Sequence, residues 1–304
     1  MKEIEPRPDL IQPAGEIPRL RAPERTLFRA RAERLRALAD GHSLADYLRF
    51  LADLAAAQDE TLRLFEGVPL PDETQLARCR EHRLAPLGVS AWRRAPAWRD
   101  ALQHILRALA RTELPASARA AIERLEQSET AFLERTADAL LGGEYERVDR
   151  SMAPFVAAAL QAYWLHMTAT LGTEAFGQLD TPYLCPACGS PPVSSVVRNG
   201  ANDRGLRYLT CSLCSLQWHA PRIKCVFCEK TDGLSYYAIE GGNGAVKAES
   251  CESCMCYLKV MYLEKDPKLD VLADDVASVA LDILMSESGV FRNGVNFFLL
   301  GGTT

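Results

Sequence analysis

The chain has no excess of positive charge, few histidines and no apolar run long enough to cross a bilayer. Among 304 residues, 35 lysines and arginines are outnumbered by 40 aspartates and glutamates, for a formal net charge of -5. A surface built to neutralise phosphates needs the opposite balance, so nucleic acid is not an expected partner. The most apolar window, Ala153 to Leu165, is shorter than a membrane span and is interrupted by Gln161. It is expected to be a buried core helix, with no membrane insertion. The opening stretch, MKEIEPRPDLIQPAGEIPRLRAPER, has no apolar h-region and no small-residue cleavage site, which gives the expectation of a cytoplasmic protein.

Chemical motifs of the common enzyme classes are missing too. There is no Gly-rich phosphate loop, no nucleophile elbow and no HExxH helix, so the chain is expected not to be an enzyme. Asp274 and Asp275 form an acidic pair near the start of a helix expected from about Leu272 to Glu287, stopping at Gly289. Carboxylates there are read as favouring the positive end of the helix.

What the chain does have is ten cysteines. In a reducing compartment these are more naturally thiolate ligands than disulfides. After residue 180 they form four CxxC pairs, Cys185/Cys188, Cys211/Cys214, Cys225/Cys228 and Cys251/Cys254, and adding 40 to the first two pairs gives the last two. Each repeat is CxxC, 22 residues, CxxC, close to the spacing of a four-thiolate metal site. VSSVVRN and LRYLTC flank the turn GANDRG, and LSYYAIE and AVKAESC flank GGNG, so each unit folds back as a hairpin that brings its knuckles together. A third segment follows each hairpin, LQWHAP or YLKVMYLE, which is the plan of a zinc ribbon or rubredoxin. Tetrahedral soft sulfur suits iron or zinc, and ligand type does not separate the two.

Three further features are read as structural. His219, the one histidine in this region, is expected to be a strand residue rather than a ligand. Cys256 is expected to be a spare thiol, because Cys254 keeps the repeat. Cys79 is expected to be a small hydrophobe in a helix. Tyr183, Trp218, Tyr236 and Tyr237 lie near the cysteines and are read as core rather than as an electron route.

Before residue 180 the texture is helical, with apolar residues three and four apart from Pro23 to about Gly177. Gly41 stops one helix, and Ser43 with Asp46 resembles a capping box opening the next. VPLPDETQ reads as a proline-rich stretch leading to a short helix with Cys79. A stripe of Trp98, Leu102, Ile105, Leu106 and Leu109 follows, then a pattern from Pro115 to Gly142 and a final helix from about Ala153 to Leu171. Five or six helices in a bundle are expected. The fold class is therefore α+β: a helical bundle domain (1–180), two tandem four-cysteine modules (181–222 and 223–304), and a C-terminal helix in the second. A cleft between bundle and metal modules is the expected partner surface.

The runs CPACGSPPVSSVVRN, GLRYLTCSLCSLQWHAPRIKCVFC and KAESCESCMCYLKVMYLEKDPKLDVLADDVAS closely resemble the FdhE family of formate dehydrogenase accessory proteins. The match spans most of residues 183 to 290 and includes linker and strand residues as well as cysteines. The resemblance implies a cytoplasmic assembly factor that contacts the catalytic subunit of respiratory formate dehydrogenase before export. It also implies two rubredoxin-like iron sites, at Cys185, Cys188, Cys211, Cys214 and at Cys225, Cys228, Cys251, Cys254. Cys256 departs from the family pattern. The alternatives are a nucleic-acid-binding zinc ribbon and a thiol-redox protein using its CxxC pairs.

Overall fold

The computed structural model describes residues 17–200 and 203–300. Most of the opening stretch read for export signals, Ala201 and Asn202 of the first hairpin turn, and the last four residues lie outside the described residues.

A two-residue strand, β1 (Leu20–Arg21), precedes seven helices: α1 (Leu27–Ala39), α2 (Ala45–Thr61), α3 (Glu73–Glu81), α4 (Ala97–Leu109), α5 (Ala116–Glu126), α6 (Thr130–Gly142) and α7 (Ala153–Leu171). The number exceeds the expected five or six because the pattern from Pro115 to Gly142 breaks between Gln127, which caps α5, and Glu129, which caps α6. Apolar on nearly every face, α7 has 14 of its 19 residues buried, as an all-round hydrophobic helix must. Around it pack α2, α4 and α6. The α4 stripe of Trp98, Leu102, Ile105, Leu106 and Leu109 is buried against this centre, each side chain contributing about 1.5–3 kcal/mol.

The expected capping box at Ser43 does not form. Leu44 is the N-cap of α2 without a side-chain bond, and its N–H donates instead to Nδ1 of His42 at 3.0 Å. A full box stands at α3, at the end of the proline-rich stretch that leads to it: the Gln75 N–H donates to Asp72 Oδ1 at 2.8 Å, and the Asp72 N–H donates to Gln75 Oε1 at 2.9 Å.

Beyond α7 come β2 (Pro192–Val197), β3 (Arg207–Cys211), β4 (Gln217–Ala220), β5 (Leu234–Tyr237), β6 (Val246–Cys251) and β7 (Cys256–Tyr262). The chain then forms α8 (Ala273–Ala277), α9 (Val279–Glu287) and β8 (Phe291–Arg292). Each repeat is an antiparallel three-stranded ribbon, with Val196 opposite Tyr208 and Leu209 opposite Trp218 in the first, and Tyr236 opposite Glu249 and Ser250 opposite Tyr257 in the second. The ribbons do not stand apart. Parallel pairing of β2 with β7, Ser195 opposite Val260, joins them in one sheet of order β1-β4-β3-β2-β7-β6-β5. From the N-terminal half, β1 covers the outer edge of β4, and β8 pairs with β7.

The expected cleft between bundle and metal region is filled. One apolar core runs from Phe28 and Leu48 through α7 to Val193, Leu209 and Trp218. Across it, Trp164 Nε1 donates to the Leu87 carbonyl at 2.9 Å and Gln161 Nε2 donates to the Ser212 carbonyl at 2.8 Å. None of the described helices meets the length and apolarity of a membrane span.

The helix expected over 272–287 is split at Ser278; at its start Asp274 accepts the Asp270 N–H at 2.8 Å, while Asp275 binds no backbone N–H there. Lys259 on β7, fully buried, donates through Nζ to the carbonyls of Asp275 and Ser278 at 2.9 and 3.0 Å, taking acceptors a continuous helix would use. The same ammonium lies 3.2 Å from the Asp275 carboxylate and 2.6 Å from that of Asp282, and Arg292 pairs with both acids. Burial opposes the charge on Asp275, but Arg292 and Lys259 outweigh it and hold the carboxyl below its usual range. Asp274 faces the other way and accepts from Arg34 of α1 at 2.6 and 3.0 Å. There burial wins, and its pKa is pushed up to about 6. The acidic pair is thus an interlock between sheet, C-terminal helices and α1.

Candidate metal centres

Each CxxC pair sits in a tight knuckle with a recurring backbone. Gly189 and Glu229 donate their N–H groups to the carbonyls of Cys185 and Cys225 at 2.8 and 3.0 Å, while Met255 donates to Cys251 at 2.9 Å. The residue after the second cysteine is always left-handed: Gly189 at φ 75, Ser215 at φ 59, Glu229 at φ 64 and Met255 at φ 54. Among the described residues only Arg83 shares that conformation without being glycine. Three non-glycine residues held this way at one position of a repeat, at a cost of roughly 1–2 kcal/mol each, show how strongly the knuckle geometry is imposed.

The knuckles bring the eight expected cysteines into two groups of four, Cys185, Cys188, Cys211, Cys214 and Cys225, Cys228, Cys251, Cys254, with all sulfurs of a group within 4.8 Å of one another. Cys185 to Cys214 is 3.5 Å, Cys188 to Cys211 is 3.4 Å and Cys188 to Cys214 is 3.8 Å. In the second group Cys225 to Cys254 is 3.7 Å and Cys228 to Cys251 is 3.5 Å. These separations are far beyond a disulfide bond of about 2.05 Å. They approach the edge of a sulfur tetrahedron, about 3.8 Å, that a metal–sulfur bond of about 2.3 Å requires. Each group therefore fits one thiophilic cation.

The electrostatics point the same way. Burial pushes Cys185 and Cys214 well above the ordinary thiol range, as does the neighbouring Cys188 thiolate. Burial also opposes ionisation of Cys188, but hydrogen bonds from Cys185, Cys211, Cys214 and Ser190 outweigh it and bring this thiol well down. In the second group Cys251 comes down to about 7, because the Cys254 N–H and Cys228 more than offset its burial, whereas burial raises Cys225. Thiolates this close cannot all ionise without a cation among them.

The two groups differ in cover. All four sulfur residues of the first are buried, whereas Cys228 and Cys254 of the second are half-buried. The first group is sealed by the turn before α4, where the N–H groups of Leu87 and Val89 donate to the carbonyls of Ala187 and Cys188 at 2.9 and 3.0 Å. Nothing in the spacing of Leu87 and Val89 marks them as partners of a metal knuckle a hundred residues away.

The remaining sequence candidates fall outside both groups. His219, on β4, packs edge-on against Tyr208, and burial lowers its pKa. Cys256 donates to the Cys254 carbonyl at 3.3 Å, leaving Cys254 with the other three sulfurs. Cys79 is half-buried on α3 rather than a core residue. Trp218 is buried, and Tyr183 packs edge-on against Phe227. Tyr236 and Tyr237 are not core: they are 45% and 51% exposed on the edge strand β5, with the Tyr236 hydroxyl donating to Glu249.

Three family models match the chain: "FdhE, N-terminal" over residues 17–179, "FdhE, central domain" over 184–222 and "FdhE, C-terminal domain" over 223–299. A protein FdhE homolog of Pseudomonas aeruginosa is 40% identical over 97% of this chain and 97% of its own length. The FdhE protein of Escherichia coli is 39% identical over 95% of this chain and 93% of its own. Among solved structures, the FdhE protein from Pseudomonas aeruginosa superposes with a TM-score of 0.83 at 39% identity, covering 94% of this chain and 100% of that one.

Proposed function

The chain belongs to the FdhE family, and from that premise we propose that it is a non-catalytic accessory protein for the assembly of respiratory formate dehydrogenase. In this reading it works in the cytoplasm, recognises the catalytic subunit and holds one metal ion in each four-cysteine cluster. The observation that carries the metal part is the gathering of all eight paired cysteines into two tetrahedron-sized groups. The partner and the choice of iron rest on the resemblance to the family.

Cys185, Cys188, Cys211 and Cys214 would hold one ion, and Cys225, Cys228, Cys251 and Cys254 the other. Iron in such a set supplies one-electron chemistry, and zinc supplies structure alone. With four protein ligands at each ion no position is left for a substrate, which is why the role proposed is assembly rather than turnover. The division into a helical part to residue 180, a first module to 222 and a second beyond it is supported by family models that meet at the same places.

The test is affinity capture with the full chain from cells making the respiratory enzyme. Recovery of the formate dehydrogenase catalytic subunit is expected. Its consistent absence would refute the assembly reading, whatever metal the chain carries.

A further inference from the structure

Two copies of one cysteine spacing, 40 residues apart, are covered differently by the rest of the chain. The half-buried residues of the second cluster are Cys228 and Cys254, the second cysteine of each pair. Their equivalents, Cys188 and Cys214, are 0% exposed. The difference has an identifiable source. Helical-half groups hold the backbone of both first-cluster knuckles: Leu87 and Val89 at Ala187 and Cys188, and Gln161 of α7 at Ser212. Trp164 of α7 fixes the covering turn through the Leu87 carbonyl.

Among the described residues, the knuckles of the second cluster receive no backbone bond from the helices α1 to α7. Met255, which follows Cys254, is 43% exposed, and Phe291, whose N–H donates to the Met255 carbonyl, is 71% exposed. Cys225 and Cys251 remain buried beneath.

We propose that the clusters divide the work: the first is a closed staple between helical bundle and sheet, and the second is an exchangeable metal site that an external soft ligand, a thiolate, reaches at Cys228 and Cys254. This rests on the reading that both clusters carry metal. In the exchange, an incoming thiolate makes a bond to the ion as the Cys228 or Cys254 thiolate gives up its own. The departing sulfur leaves as an anion, the charge at the ion is unchanged and no electron moves. Cys225 and Cys251 retain their hold while the outer pair is replaced. Attack of this kind needs access to the metal-bound sulfurs. At the first cluster access requires local opening of the turn around Leu87 and of its contact with α7, and the rate is cut by the free energy of that opening. At the second cluster no such opening is needed.

The experiment uses the full chain loaded anaerobically with zinc, a colorimetric zinc chelator in excess, and N-ethylmaleimide with mass-spectrometric mapping of each cysteine. Release is expected in two phases of one equivalent each, the fast one at least about tenfold ahead and accompanied by labelling of Cys228 and Cys254. Release of both ions in a single phase, or labelling of Cys188 and Cys214 as fast as Cys228 and Cys254, overturns the division of work. Uptake of fewer than two equivalents overturns the metal reading beneath it. Capture of the catalytic subunit is a separate result that neither outcome decides.

Discussion

At the residue scale, the eight paired cysteines are unequally enclosed: all four of the first group are buried, and Cys228 and Cys254 of the second are half-buried. If the first cluster holds metal as proposed, Cys188→Ser removes a ligand from a buried site, where metal binding would be worth on the order of 10 kcal/mol of folding free energy. It is expected to abolish the cooperative melting of the whole chain, read by circular dichroism at 222 nm, the standard helix wavelength. Cys228→Ser, in the half-buried site, is expected to lose about one metal equivalent on elemental analysis while helical ellipticity persists. The residue after each knuckle gives a paired test of opposite sign. Gly189 and Met255 share a left-handed backbone, and a Cβ on Gly189 would meet only the Ala85 Cβ at 3.9 Å. Gly189→Ala is therefore expected to cost about 1 kcal/mol and Met255→Gly to add a similar amount, both read as shifts of the urea midpoint. The clustering of the cysteines was legible because their spacing is periodic. Lys259, Asp275, Asp282 and Arg292 were not, because their meeting depends on a sheet and two helices that no local pattern brings together.

At the element scale, α7 is the support on which the first metal unit rests. Gln161 donates to the Ser212 carbonyl and accepts from Gln58 Nε2 at 3.2 Å, wholly within the core. Gln161→Leu leaves the Ser212 carbonyl buried without its donor, at a cost of about 1–3 kcal/mol, while Gln58 Nε2 keeps its bond to the Ala158 carbonyl at 2.9 Å. The second support is the Lys259 interlock. Lys259→Met leaves Arg292 as the one cation paired with Asp275 and Asp282 among the described residues, beside neutral donors from Asn296 and Tyr257, and is expected to cost about 3–5 kcal/mol, seen as a large fall in melting temperature. Helices were readable where an apolar stripe runs unbroken, as in α4, or where every face is apolar, as in α7. The break between α5 and α6 was hidden because Leu125 and Leu133 continue one stripe across it. The ribbon strands could be read from alternation and turns, but the parallel pairing of β2 with β7 could not, since nothing local tells an edge strand which other edge it will join.

At the scale of the whole molecule, helices, first unit and second unit form one body through a shared core and one sheet. Its pH response has two parts of opposite sign. Asp274 titrates near 6 in the folded chain against an ordinary 3.8, so its contribution is fully present below about pH 4 and is lost as pH rises through about 6. The loss is at most about 3 kcal/mol. Asp275 is depressed, so its contribution is present above the ordinary carboxylate value and lost as pH falls through its lowered one. Because acid also strips thiolate metal sites, the informative quantity is a difference. Urea unfolding of the native chain and of Asp274→Asn between about pH 5 and 7 is expected to show a decline with rising pH that the variant lacks.

The central claim, that this FdhE-family chain is organised around two four-thiolate metal centres, is tested most directly by metal analysis with a visible spectrum on anaerobically purified protein. About two metal ions per chain are expected, red-brown if iron and colourless if zinc. A folded, metal-free chain whose eight paired cysteines all react with a thiol reagent would contradict the account.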